Sequence, residues 1–235
     1  MIRSGKSPVY GHLTGPSMVD YSGRLAAVFF LSGCNFRCGF CHNLQLMEFQ
    51  DSRLSWAGLD RACLSFSENW VDAAVISGGE PTLCKELPEL ITFFRNHGWR
   101  VKLDTNGSRP DMLKKIIGEI DYVAMDIKTS LERYPEVTGC SDTLRISESI
   151  DLIMNAPVDY EFRTTVIESI HPVETIKEAV SLIKGARRYV LQPFVPQPGL
   201  PDPSMETLQR TSPDYMQKLA GTIAGQVQEA LIRGE

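Results

Sequence analysis

The chain has 235 residues, 43% hydrophobic and 23% charged, with 24 Lys and Arg against 29 Asp and Glu for a net charge of −5. That length supports a real core in one large domain or two small ones, and the composition excludes disordered and collagen-like chains. No apolar run approaches the roughly 18–20 residues that span a bilayer, the N-terminus lacks a basic-then-apolar signal pattern, and the mildly acidic balance argues against nucleic-acid binding, which needs a basic face.

Residues 1–24, rich in Gly, Ser and Pro, read as a lead-in segment. The apolar run 25–31 predicts a buried strand that ends at Ser32-Gly33. Residues 55–69 predict a helix with Ser55 as N-cap. A short strand at 73–76 runs into Ser77-Gly78-Gly79, and a helix at 86–97 places Leu87, Leu90, Ile91 and Phe94 on one face before Gly98. The strand 101–103 ends at Asp104-Thr105-Asn106-Gly107. There follow a helix at 111–120, a strand at 122–127, a helix at 144–155, a strand at 160–166, a helix at 173–184 and a strand at 189–191. A Pro-rich loop at 193–203 and a final helix at 215–232 complete the chain.

Strands alternating with helices imply parallel strands joined by right-handed crossovers. Periodicity alone leaves open whether the sheet is flat or curled. The unusual polar residues repeatedly follow strands, and in parallel α/β folds the site lies at the C-terminal strand ends. One domain with one site on one face is the economical reading.

Six cysteines are present, and three of them, Cys34, Cys38 and Cys41, fall within eight residues. Three thiolates in one loop suit an iron–sulfur cluster with one iron left free of protein ligands. A structural zinc site recruiting His42 is the alternative, although zinc sites usually pair two separated motifs. Cys63, Cys84 and Cys140 are scattered and read as structural residues. His12, His97 and His171 read as surface or capping residues, and His42 as a neighbour that tunes the cluster.

The Cys-x3-Cys-x2-Cys spacing, with Phe40 before the last cysteine, is similar to the signature of the radical S-adenosylmethionine (SAM) superfamily. The longer stretch Cys34-Asn35-Phe36-Arg37-Cys38-Gly39-Phe40-Cys41-His42-Asn43 resembles the glycyl-radical-enzyme activases, particularly those of anaerobic ribonucleoside-triphosphate reductase. Residues 19–26 resemble that family's lead-in to its first strand. The resemblance implies a partial (β/α)6 barrel over residues 25–193, with the segment 194–235 packing on it as a Pro-rich loop and helix. A barrel of about six units is shorter than the ~250 residues of a closed one and leaves a lateral opening.

The resemblance further implies a [4Fe-4S] cluster on Cys34, Cys38 and Cys41, with SAM chelating the fourth iron. Gly78, Gly79 and Glu80 of Gly-Gly-Glu-Pro would hold the SAM amino group. Asp104, Thr105 and Asp126 would supply oxygens to a monovalent cation near the SAM carboxylate, with the Ala124 carbonyl as a fourth candidate. Lys128 would face a carboxylate, although a local solvated pair with Asp126 is the commoner fate of such residues. Arg163 and Val166 would border the SAM methionine and ribose, and a charge such as Arg163 within an apolar strand demands a partner. Formate-lyase activases carry a histidine after the sixth strand where this chain has Gln192, which favours the reductase branch and makes Gln192 the replacement near adenosine.

On that resemblance the enzyme is an oxidoreductase. An electron from flavodoxin or ferredoxin, at roughly −400 mV, drives cleavage of SAM to a 5′-deoxyadenosyl radical, which takes a hydrogen atom from a glycine Cα of a partner enzyme. Formate-lyase, another glycyl-radical enzyme or a small molecule are the alternative substrates, and a non-catalytic zinc-stabilised module is the alternative of a different class. An oxygen-sensitive cluster and the absence of a signal pattern point to a cytoplasmic location.

Overall fold

The computed structural model describes residues 5–234, so residues 1–4 of the lead-in segment lie outside the described residues. The elements in chain order are β1 (Gly11–His12), β2 (Ala26–Leu31), α1 (Trp56–Glu68), β3 (Ala73–Gly78), α2 (Leu87–Asn96), β4 (Arg100–Thr105), α3 (Pro110–Ile116), β5 (Tyr122–Asp126), α4 (Tyr134–Thr138), α5 (Leu144–Asn155), β6 (Asp159–Val166), α6 (Val173–Ser181), β7 (Arg188–Pro193), α7 (Pro203–Glu206), α8 (Pro213–Ile223) and β8 (Glu229–Ile232). Each strand pairs with the next in sequence, giving one eight-stranded sheet in the order β1 to β8. β1 is antiparallel to β2, and β2 through β8 are parallel. The sheet is not closed: β1 and β8 are its edges.

Side chains alternate between the two faces of each strand. One face carries the main core. Phe29, Ile76 and Leu103 pack there with Leu87, Leu90, Ile91 and Phe94 of α2, all fully buried or nearly so. Phe29 and Phe94 bring their ring centroids to 4.6 Å. Burying each such side chain stabilises the fold by about 1.5–3 kcal/mol. The other face holds a small apolar set, Ala26, Val28, Ala73, Val75, Tyr122 and Ala124 with Tyr21. On β4 and β6 the corresponding positions are charged: Lys102, Asp104, Glu161 and Arg163.

Helix starts follow their caps. Ser55 accepts from the Gly58 N–H at 3.0 Å at the head of α1, and Ser212 accepts from Tyr215 N at the head of α8. The predicted helix 111–120 is α3 followed by a 3₁₀ turn at Ile117–Glu119. The predicted final helix stops at Ile223, and the remainder turns into β8 beside β7. Apolar spacing continues through Val227 and Leu231, but Gly225 takes φ +78° and breaks the helix there. The barrel therefore has seven parallel strands, one more than the alternation of the sequence indicated. No helix among the described residues is long and apolar enough to cross a membrane.

Candidate functional site

The loops leaving the strand C-termini converge on a cavity of about 470 Å³. Its lining includes Cys34, Cys38 and Cys41, Ser77, Gly78 and Gly79, and the polar group Asp104, Thr105, Asn106, Asp126, Lys128, Arg163 and Gln192. The register of the sheet brings the charged residues together: Asp104 lies beside Ala124, and Asp126 beside Arg163.

The cysteine loop is held from both sides. Gly33 and Cys34 donate main-chain hydrogen bonds to Leu46 and Met47, and Arg37 N donates to the Thr138 carbonyl at 2.7 Å. Asn106 Nδ2 reaches Asn35 Oδ1 at 3.1 Å and lies 3.9 Å from Cys34 Sγ. The segment after β7 covers the loop: Asp202 N donates to the Gly39 carbonyl at 3.0 Å, and the Phe194 ring lies 5.8 Å from that of His42. Burial raises the Cys34 thiol and pushes Cys38 up to about 11. Such thiols become thiolates when a metal supplies the compensating charge. Among the described residues no three His, Cys, Asp or Glu side chains close on one metal-ion position, and this holds for Cys34, Cys38 and Cys41 with or without His42.

The cavity floor is an ionic network. Asp126 accepts from Arg163 Nε through Oδ1 and from Lys128 Nζ through Oδ2, both at 2.9 Å. Burial alone would raise the Asp126 carboxyl, but Arg163 and Lys128 outweigh it and hold it at about 2. Burial likewise disfavours the Lys128 ammonium, and Asp126 and Cys38 outweigh that and keep it charged. Asp104 Oδ1 lies 3.1 Å from Lys102 Nζ and 3.5 Å from Arg163, neither in hydrogen-bond geometry. Arg163 thus has the partners that its place in a strand demands, and Asp126 and Lys128 belong to a partly buried three-residue network rather than an isolated pair.

Two expected residues stand outside the cavity lining. Glu80 is buried, and its carboxylate is taken by protein donors: Thr82 N at 3.1 Å, Thr82 Oγ1, Thr105 Oγ1 at 2.7 Å and Asn106 N at 2.6 Å. It ties the loop after β3 to the loop after β4, with three donors on Oε1 and one on Oε2. Val166 is also fully buried, and its carbonyl accepts from Phe194 N and Thr211 Oγ1, anchoring the segment that covers the cysteines. Gly78 and Gly79 fit their place closely. A Cβ on Gly78 would stand 2.1 Å from the Leu31 carbonyl oxygen, and one on Gly79 2.2 Å from that of Gly33.

Three residues near the site were not singled out from sequence. Asp20 of the lead-in segment lines the cavity. Lys102 lies beneath Asp104, and the signal for it was a lysine inside an apolar strand, two residues before Asp104 on the same face. His171 is fully buried rather than a surface or capping residue. Its Nδ1 accepts from Ile167 N at 3.0 Å and its Nε2 donates to the Lys128 carbonyl at 2.7 Å. This pattern needs the neutral ring, and burial pushes its pKa down to about 4.

Comparison with known proteins agrees with this arrangement. Residues 28–186 match the Radical SAM superfamily. A Methanocaldococcus jannaschii protein named as a glycyl-radical enzyme activating enzyme is 34% identical over 189 residues, 77% of this chain and 78% of that one. The 7-carboxy-7-deazaguanine synthase of Thermococcus kodakarensis is 25% identical over 70% of this chain and 72% of its own. Among solved structures, Streptococcus suis SuiB bound to precursor peptide SuiA superposes with a TM-score of 0.63 at 15% identity, over 87% of this chain and 48% of that one. Membership implies a [4Fe-4S] cluster and SAM, and three cysteines of one loop lining one cavity fit such a cluster. With the cysteine loop, the parallel open sheet and these matches, the chain belongs to the radical SAM superfamily.

Proposed function

We propose that this enzyme activates a glycyl-radical enzyme, and that its partner is an anaerobic ribonucleoside-triphosphate reductase. The similarity to a named activating enzyme over most of both chains carries the first part. The stretch 34–43 and Gln192 on the cavity wall, in place of a histidine, support the second. Cluster and SAM together, once reduced by one electron, supply hydrogen-atom abstraction.

The chain's own residues orient and shield. Cys34, Cys38 and Cys41 hold the cluster, and Lys128 lies close enough to Cys38 to favour its thiolate. Gly78 and Gly79 present bare main chain to SAM. Arg163, Lys128 and Lys102 outnumber Asp104 and Asp126 by one charge, which suits the SAM carboxylate. Gln192 would contact the adenosine. Phe194 and Asp202 pack against the cysteine loop and hold it in place. The open edge of the sheet leaves room for a glycine loop of the partner, and flavodoxin or ferredoxin would be the electron donor.

Anaerobic reconstitution tests this. The protein should take up about four irons and four sulfides, release 5′-deoxyadenosine from SAM only when reduced, and raise a glycyl-radical paramagnetic signal on purified reductase. Cys38→Ala should abolish all three, and normal SAM cleavage by that variant would overturn the cluster assignment. A signal on formate-lyase but not on reductase would overturn the partner.

A further inference from the structure

The family resemblance implies a monovalent cation on Asp104, Thr105 and Asp126, and the groups around these residues do not fit one. Asp126 has both oxygens engaged, by Arg163 and by Lys128. The Thr105 hydroxyl donates to Glu80 at 2.7 Å and accepts from Gly107 N at 3.1 Å. Asp104 already faces two fixed cations, Lys102 and Arg163. Lys102, Lys128 and Arg163 therefore already stand against the two carboxylates that would hold the ion. A further metal cation would add like charge beside them.

Lys102 has the surroundings of a bound cation. Its side chain is 2% exposed, one pleat below Asp104 on β4. Nζ donates to the Asp20 main-chain carbonyl at 2.5 Å, lies 3.1 Å from Asp104 Oδ1, and sits 5.8 Å from the centre of the Tyr122 ring. A carbonyl oxygen, a carboxylate oxygen and a ring face are what an alkali ion would collect. The other nearby acid does not compete for it, because Glu161 is held by Arg233 in a two-pronged pair at 2.9 and 2.7 Å.

We propose that the Lys102 ammonium takes the place of an alkali-metal ion beneath the SAM site, so that the protein holds SAM without a monovalent cation. The proposal rests on the reading of the cavity as a SAM site, and its test separates the two. The melting temperature of the cluster-free protein and the SAM dissociation constant of the reconstituted protein are measured in potassium, sodium or choline chloride at constant ionic strength. For the wild type, both should be the same in all three salts, within about threefold for the dissociation constant. Weakening beyond that in choline, or potassium-specific stabilisation of the cluster-free protein, overturns the proposal.

Lys102→Met should melt lower in choline, recover stability in potassium as the ion fills the vacated place, and bind SAM about tenfold more weakly in choline than in potassium. A folded Lys102→Met protein indifferent to potassium in both measurements also overturns it. Should that variant not fold, the wild-type comparison decides alone. Failure of the wild type to bind SAM in any salt would refute the SAM reading, and the melting temperatures would still decide whether Lys102 replaces the ion.

Discussion

Acid should weaken the fold through one histidine. His171 is neutral in the folded protein because burial, helped by the nearby Arg133 charge, outweighs the main-chain hydrogen bonds that favour its charge, and its proton binds at about 4 instead of the ordinary 6.5. Between those values the unfolded chain binds the proton and the folded chain does not, so stability rises with pH. This contribution is complete above about 6.5 and is lost as pH falls towards 4. The full loss is about 3 kcal/mol, and about 2 kcal/mol of it falls between pH 7 and pH 5. Asp126, held at about 2, loses its own contribution only below that window. The assay is urea unfolding of the cluster-free protein at several pH values, for the wild type and for His171→Gln. Glutamine can keep the donor to Lys128 and the acceptor for Ile167 but does not titrate. Other groups titrate in both proteins, so the difference between the two slopes isolates His171. Equal slopes would refute the neutral, buried histidine.

Glu80 and Gly79 give two sharper tests of the loops. Each Glu80 carboxylate oxygen faces a main-chain N–H, of Thr82 or of Asn106. Glu80→Gln must turn its amide nitrogen towards one of them, and chemical denaturation should show a loss of about 1–3 kcal/mol; wild-type stability would argue against the arrangement. Gly79→Ala forces a Cβ to within 2.2 and 2.5 Å of the main-chain oxygens of Gly33 and Leu46. It should cost about 3 kcal/mol or prevent folding, whereas Gly118→Ala, with nothing within 4 Å, should melt like the wild type.

The parts of this molecule that are legible in the sequence are those written over short spans. The cysteine spacing, the polar residues after each strand and the apolar stripe of α2 all depend on neighbours within a few positions. Asp104, Asp126 and Arg163 could be placed near one another because strand ends in a parallel sheet share a face. What escaped depends on distant partners. The burial of His171 is set by the Lys128 carbonyl, 43 residues away. Glu80 looked free to bind because its donors at Thr105 and Asn106 arrive from the next strand. β8 was hidden because an apolar spacing suited to a helix also suits a short strand once Gly225 ends the helix. Lys102 lay inside a run that reads as plain strand until the register sets it under Asp104.

The cover over the cysteine loop has a consequence for how the protein is made. Gln197 contacts the His42 carbonyl across 155 residues of sequence. On the ribosome the cysteines emerge first, and strands add in order along one growing edge of the sheet. The covering segment follows only some 155 residues later. The loop is therefore exposed to the cell throughout elongation, for about 10–30 seconds at ordinary translation rates, and that interval is when iron and sulfide have their most open approach to it.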